Sequence, residues 1–242
     1  MNFGKKRAPT KWIAFHRLCK ALSADECAIC VLVARECEQH MEMLFHEGIM
    51  DPGVRLGLHE AYGFCNAHAW MALRTPAADA GLAIVYDDLI RMVLPHITEL
   101  ARLRDKQRAS HAFTNLLHNA APPVLPATAT CPVCASNEQT ARLYLHELLD
   151  FFNDADLHKK YFQSFGICLP HLRQALREFP DDPQLPPLLD AERDKLVALQ
   201  TELQEYNRKR DYRYANEPKG VEQTSWRRVI EKFVGKREMI NR

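Results

Sequence analysis

The sequence predicts an all-α protein made of two internal repeats that are joined by long helices. Apolar residues recur at the spacing of helix faces, and no stretch alternates apolar and polar residues over the length of a strand. A Cys-x-x-Cys pair followed some 34 residues later by Gly-x-Cys-x-x-His occurs twice. A shift of 104 residues superposes the Cys-x-x-Cys pairs, and a shift of 103 superposes the Gly-x-Cys-x-x-His motifs. We therefore predict an internal duplication in which each copy is a helical metal-binding module.

The first half contains an N-terminal helix and the first repeat. The N-terminal segment is 1–22, with its helix at 11–22, and the repeat with its long helix is 23–119. Ser23 and Glu26 have the spacing of a capping box, which places Cys27 and Cys30 at the entry of a second helix. A break at Asp51 precedes a short helix, a glycine turn leads into the Gly-x-Cys-x-x-His motif, and a long helix is predicted at 77–119.

The second half follows the same order after a proline-rich linker at 120–130. Its repeat and long helix span 131–212, with a helix after the Cys-x-x-Cys pair, a short helix at 156–163 and a long helix at 188–212. The remaining segment, 213–242, is a basic tail with a last helix at 221–234.

Eight side chains in the two repeats are predicted metal ligands. Residues three apart on a helix share a face, so each Cys-x-x-Cys and each Cys-x-x-His forms a two-pronged claw. Two claws supply three thiolates and one imidazole, a standard closed set for structural zinc. We expect each Cys-x-x-Cys pair to share an ion with the Cys-x-x-His that follows it, giving two Zn²⁺ per chain. The predicted ligands are Cys27, Cys30, Cys65 and His68 in the first repeat, and Cys131, Cys134, Cys168 and His171 in the second.

Other assignments of these cysteines were weighed on their surroundings. A thioredoxin-like dithiol would need a βαβ context, and c-type haem would need Cys-x-x-Cys-His, whereas Val31 and Ala135 follow the two pairs. An iron–sulfur cluster stays open as an alternative, because thiolates and an occasional histidine also hold such clusters. Cys19 and Cys37 have no counterpart in the other repeat and are predicted to be core residues.

Composition excludes some classes of function. The chain has 242 residues, 47% of them hydrophobic and 26% charged, as in a globular protein with a substantial core. A formal net charge of +1 excludes a global basic field, although 205–242 has eleven basic against six acidic residues and could contact nucleic acid. No apolar run resembles a signal peptide or a membrane span, so we expect a cytoplasmic protein without a membrane partner.

The run HEGIMDPGVRLGLHEAYGFCNAHAW, with the later CPVC and GICLPHL, resembles an uncharacterised bacterial family, a domain of unknown function with duplicated Cys-x-x-Cys and Gly-x-Cys-x-x-His motifs. The resemblance implies that the eight residues above correspond to the family's presumed ligands, and it implies no activity. No catalytic constellation stands out, so the sequence assigns no catalytic residue and does not favour an enzyme, although it leaves one open. The leading hypothesis is a zinc protein acting as an interaction or regulatory module, through a protein partner or self-association. An iron–sulfur or redox-sensing protein and a nucleic-acid binder are the alternatives.

Overall fold

The computed structural model describes residues 13–110, 129–214 and 216–236, except for the side chains of 105–110. These ranges contain α-helices and no strand, so the predicted all-α class is confirmed. A π-helical turn at Leu44–Gly48 extends the second helix, and short 3₁₀ turns occupy Tyr212–Tyr214 and Val221–Thr224. The helices are α1 Ile13–Ala21, α2 Ala28–Met43, α3 Pro52–Glu60, α4 Asn66–Ala72, α5 Asp79–Ser110, α6 Pro132–Asp150, α7 Ala155–Gln163, α8 Leu169–Glu178, α9 Leu185–Arg208 and α10 Ser225–Val234.

Most predicted helices are present, with shifts of a few residues at their ends. The predicted end of the long helix at 111–119 and nearly all of the linker at 120–130 lie outside the described residues. Within the described ranges, no helix combines the length and the apolar character needed to cross a bilayer. Large apolar residues of α5 are buried near its start, at Leu82, Val85 and Leu89, whereas Ile97 further along is exposed.

The predicted capping box at the start of the second helix is wrong. Helix α2 begins at Ala28, and Cys27 is the residue whose carbonyl accepts the first hydrogen bond, from the Val31 N–H at 3.1 Å. Ser23 instead lies in the turn that ends α1, and Glu26 forms an ion pair with Lys236. The helix therefore starts directly after Cys27, the first residue of this claw.

The chain divides into two compact units. Within the described residues, unit 1 contains 13–38, 136–214 and 216–236, and unit 2 contains 39–110 and 129–135. The borders fall inside α2 and α6, so unit 1 combines the N-terminal part of the first half with most of the second half. The units therefore differ from the two sequence repeats.

Unit 1 is built around one hydrophobic cluster. Phe15 and Leu18 of α1 and Ile29 of α2 are at most 2% exposed and belong to the same buried cluster as the apolar face of α6. The further members include Leu145, Leu148, Leu149, Phe152, Leu157, Tyr161, Ile167, Leu172 and Leu188. Burying this many large apolar side chains is the main stabilising contribution to the unit.

Unit 2 has its own buried residues around α3 and α5. The rings of Phe45 and Phe64 lie 5.9 Å apart, and Gly81 allows α5 to lie close to Phe45 and Ile49. Arg55 of α3 forms an ion pair with Asp88 of α5. These contacts place the glycine turn before Cys65 against α5.

Candidate metal centres

The eight predicted ligands gather into two clusters, each with three cysteines and one histidine. We call Cys27, Cys30, Cys168 and His171 site I, and Cys65, His68, Cys131 and Cys134 site II. Within each site all four donor atoms lie within 4.8 Å of one another. Among the described residues these are the clusters of His, Cys, Asp or Glu side chains that could hold an ion. Site I lies in unit 1 and site II in unit 2.

The predicted pairing of the claws is wrong. Each Cys-x-x-Cys pair meets the Cys-x-x-His of the other predicted repeat, so the claws are exchanged between the sequence halves. Site I joins Cys30 to Cys168, 138 residues apart, and site II joins His68 to Cys131, 63 residues apart. The prediction paired each Cys-x-x-Cys with the nearest Cys-x-x-His because the sequence gives only distances along the chain. In the fold, Cys131 and Cys134 at the N-terminus of α6 lie beside Cys65 and His68.

The donor distances fit a single tetrahedral ion. Zn–S bonds of ~2.3 Å and Zn–N bonds of ~2.0 Å give tetrahedron edges of about 3.8 Å between sulfurs and about 3.5 Å between sulfur and nitrogen. In site I, the Cys30 and Cys168 sulfurs are 3.7 Å apart, and Nδ1 of His171 lies 3.1–3.5 Å from the three sulfurs. In site II, one sulfur pair is 3.5 Å apart and Nδ1 of His68 lies 3.2–3.8 Å from the sulfurs. These sulfur separations are far beyond the ~2.05 Å of a disulfide.

Helix N-termini present both claws of each site. The first residue of each claw is a cysteine that directly precedes a helix, and its carbonyl accepts a hydrogen bond from the N–H four residues on. Ala69 donates to Cys65 at 2.8 Å, and Leu172 donates to Cys168 at 2.9 Å. The second ligand follows one turn later on the same face. The positive ends of the helix dipoles therefore point towards the thiolates and stabilise them.

A glycine turn precedes the cysteine of each Cys-x-x-His claw. Gly63 and Gly166 have φ values of +96° and +81°, in the left-handed region where glycine is favoured. A Cβ on Gly166 would collide with the Glu192 carboxylate, and one on Gly63 would lie 3.0 Å from the Leu89 side chain. The Gly166 carbonyl also accepts from the Ala28 N–H at 3.3 Å, which connects this turn to the first turn of α2.

Without a cation, the thiols of each site share negative charge unequally. Hydrogen bonds with Cys168 and Cys27 lower the pKa of Cys30 to about 3, whereas hydrogen bonds with Cys27 and Cys30 raise the pKa of Cys168. In site II, burial acts to raise the pKa of Cys131, but hydrogen bonds from His68 and the backbone lower it to about 6. Burial and the Cys65 thiol raise the pKa of Cys134 to about 12. One thiolate therefore disfavours the next, and a cation is what would allow three thiolates to coexist.

A buried polar network supports the glycine turn of site I. Glu192, 1% exposed, accepts from the Tyr161 hydroxyl and, at 3.1 Å, from the Ile167 N–H, and it forms an ion pair with Lys232, itself 2% exposed. Lys232 and Lys195 donate to the backbone carbonyls of 162–165. A buried ion pair with this many hydrogen bonds fixes the backbone that presents Cys168.

Site II has a different environment. Tyr86 of α5 lies beside the glycine turn, and burial, then the charges of Cys131 and Cys65, raise its pKa. Burial lowers the pKa of His40, and the nearby His68 lowers it further. His40 is thus a neighbour of the site and not one of its donors. Cys19 and Cys37, predicted as core residues, are both buried.

Residues near the C-terminus were missed by the sequence reasoning. Gly235, with φ +84°, follows α10, and a Cβ on it would lie 3.3 Å from the Cys30 sulfur. The backbone N–H of Lys236 donates to the same sulfur at 3.4 Å. A glycine directly after an amphipathic helix was the available signal, but it has no counterpart in the first repeat.

Fold and sites together define an all-α protein with two Cys₃His clusters. The chain belongs to the DUF6062 family, a family of unknown function, whose model matches residues 18–239. No curated protein and no solved structure matches the chain.

Proposed function

We propose that the protein binds two Zn²⁺ ions per chain, one in each Cys₃His site, and that the ions are structural. The observation that carries the proposal is the clustering of the donors: four separations in each site are 3.1–3.8 Å, as around a zinc ion, and all donor atoms of a site lie within 4.8 Å of one another. Three thiolates and one imidazole fill four coordination positions, so no position remains for a substrate. We also propose the cytoplasm as its location, because thiolate sites of this kind persist in a reducing compartment.

The iron–sulfur alternative fits the spacing less well. A cluster places several irons and sulfides between its ligands, whereas all donors of each site lie within 4.8 Å of one another. That space suits one ion. Soft thiolates with one imidazole in a tetrahedron are typical of zinc, although a mononuclear iron could use the same donors.

The nucleic-acid alternative is not favoured by the described part of the tail. Most of its described basic side chains form ion pairs within the protein, as Lys236 does with Glu26, and this reduces the field available to a phosphate backbone. The other pairs are Arg208 with Glu205 and Glu217, Lys209 with Glu222, Arg213 with Asp211, Arg227 with Glu231, Arg228 with Glu202, and Lys232 with Glu192.

With structural metals, the role of the protein would lie on its surfaces, as an interaction module for a protein partner or a second copy. An apolar groove of about 570 Å³ on unit 1 supports this, with Leu196 and Val197 of α9 and Val229 and Phe233 of α10 among its lining. Val197 is 56% exposed. Exposed apolar surface of this kind often marks an interface. Light scattering of wild type and Val197→Glu would show whether this surface joins two copies.

Elemental analysis with an absorption spectrum, on protein purified without oxygen, tests the metal proposal. We expect about two zinc ions per chain and no colour. Iron with sulfide and a brown solution would make electron transfer or redox sensing the function instead. A protein free of metal would overturn both.

A further inference from the structure

The two residues that follow α10 contact the ligand sulfurs of site I. Lys236 donates its backbone N–H to the Cys30 sulfur at 3.4 Å, and Gly235 lies over the Cys30 and Cys168 sulfurs. A Cβ on Gly235 would be 3.3 and 3.5 Å from these two atoms. Glycine therefore suits this position, because any other residue would hold a positive φ and press its Cβ against the Cys30 sulfur.

Two anchors hold this segment in place. Lys232 of α10 forms the buried ion pair with Glu192 and donates to the Phe165 carbonyl at 3.1 Å. One turn further on, the Lys236 side chain pairs with Glu26, the residue before Cys27, at 2.8 Å. The first anchor connects α10 to the turn that presents Cys168, and the second connects it to the claw of Cys27 and Cys30.

We propose that α10 and the following Gly235–Lys236 segment close site I, and that the Lys236 N–H positions and stabilises the Cys30 thiolate for the metal. The inference rests on the proposed zinc function and adds a coupling to it. A backbone N–H that donates to a coordinating sulfur offsets part of its negative charge, and such outer partners typically change metal affinity by 10–100-fold. Because linkage is reciprocal, zinc in site I also stabilises the docked α10.

A pair of variants at one position separates the N–H from the side chain. Lys236→Pro removes the backbone N–H. Lys236→Ala keeps the N–H and removes the ion pair with Glu26, in which both side chains are about one-third exposed. Zinc release to a coloured chelator is followed in the full chain, with the two phases assigned by Cys168→Ser and Cys65→Ser. We expect Lys236→Pro to speed release from site I about tenfold or more and to leave site II unchanged. Lys236→Ala should change either rate less than twofold, as exposed ion pairs contribute little.

Equal release from site I in the two variants would overturn the inference while the zinc function stands. Faster release from both sites by Lys236→Pro would overturn it too, because the effect would then be general loosening. A wild-type chain without zinc would instead remove the proposed function. If Lys236→Pro does not fold, Gly235→Ala tests the same contact by placing a methyl group beside the two sulfurs.

The reciprocal effect has its own measurement, hydrogen–deuterium exchange across Ser225–Val234. Loss of site I through Cys168→Ser should speed amide exchange in α10, and loss of site II through Cys65→Ser should not. Unchanged exchange after loss of site I would contradict the coupling.

Discussion

Site I and site II have the same four donor types and the same helix-start geometry, yet they differ in what surrounds them. Site I is backed by the buried pair of Glu192 and Lys232 and contacted by the Lys236 N–H. Site II lies beside Tyr86 and His40, and its glycine turn packs against Leu89. The difference shows that the donor set can be repeated while its support is specific to each unit. We therefore expect zinc in site I to be held more firmly.

The largest difference should come from removing one sulfur at each site. Cys168→Ser is expected to destabilise the protein more than Cys134→Ser, since Cys168 is fully buried and site I closes a segment of 138 residues. Loop-closure entropy alone gives about 5 kcal/mol for site I and about 4 kcal/mol for site II, before the metal bonds are counted. Urea denaturation with zinc analysis measures both losses. A larger loss for Cys134→Ser would reverse the comparison.

Next in size is the buried ion pair of site I. Lys232→Met leaves Glu192 buried without its cation, which should cost about 3–5 kcal/mol in the free energy of unfolding. Lys232→Met with Glu192→Gln should recover part of that loss because no buried charge remains. Thermal unfolding at constant zinc compares the two. If the double variant is no more stable than Lys232→Met, the uncompensated Glu192 charge is not the cause of the lost stability.

The glycine turns provide a matched pair with a smaller effect. Ala at Gly166 or Gly63 has to adopt a positive φ, which should cost about 1–3 kcal/mol. Gly166→Ala should be the worse of the two, since its methyl group meets the Glu192 carboxylate, whereas that of Gly63→Ala meets only the tip of Leu89. Each variant should speed zinc release from its own site, and an effect on the other site would argue against separate support.

Acid should release zinc from site II before site I. The pKa of Cys30 is lowered to about 3 by bonds with Cys168 and Cys27, so a thiolate persists there down to that range. In site II burial opposes the thiolate, and bonds from His68 and the backbone bring the pKa of Cys131 only to about 6. Judged by the most acidic thiol of each site, protons should compete with zinc at site II first as the pH falls, while the raised pKa of Cys168 acts in the opposite direction in site I. A pH titration of release from Cys65→Ser and Cys168→Ser, each with one site left, gives the order.

The smallest and most equal effects should come from the helix caps of the two halves. Asp51 accepts from the N–H groups of Gly53 and Val54 at 2.8 and 3.1 Å, and Asp154 does the same for α7 at 3.1 and 3.3 Å. Replacing either with Ala should cost about 1 kcal/mol. Denaturation curves that differ by much more would mean that the caps, like the sites, depend on their unit.

The sequence predicted what is local and missed what depends on distant packing. The eight residues of the two clusters, the glycine turns at Gly63 and Gly166 and most helix bounds follow from spacing and turn chemistry within a few residues. The exchange of claws does not, because joining Cys30 to Cys168 rather than Cys65 is decided by how α2 and α8 pack in the core of unit 1. The roles of Glu192, Lys232 and Lys236 were missed for the same reason, since each acts on the site through residues at least 25 positions away.

The exchanged pairing is the central claim, and zinc content of two double variants tests it most directly. Cys27→Ser with Cys168→Ser removes two ligands from site I, so about one zinc ion per chain should remain. Cys27→Ser with Cys65→Ser removes one ligand from each site, so little or no zinc should remain. The opposite order, with one ion left in the Cys27/Cys65 variant and almost none in the Cys27/Cys168 variant, would mean that each repeat holds its own metal and would contradict the account.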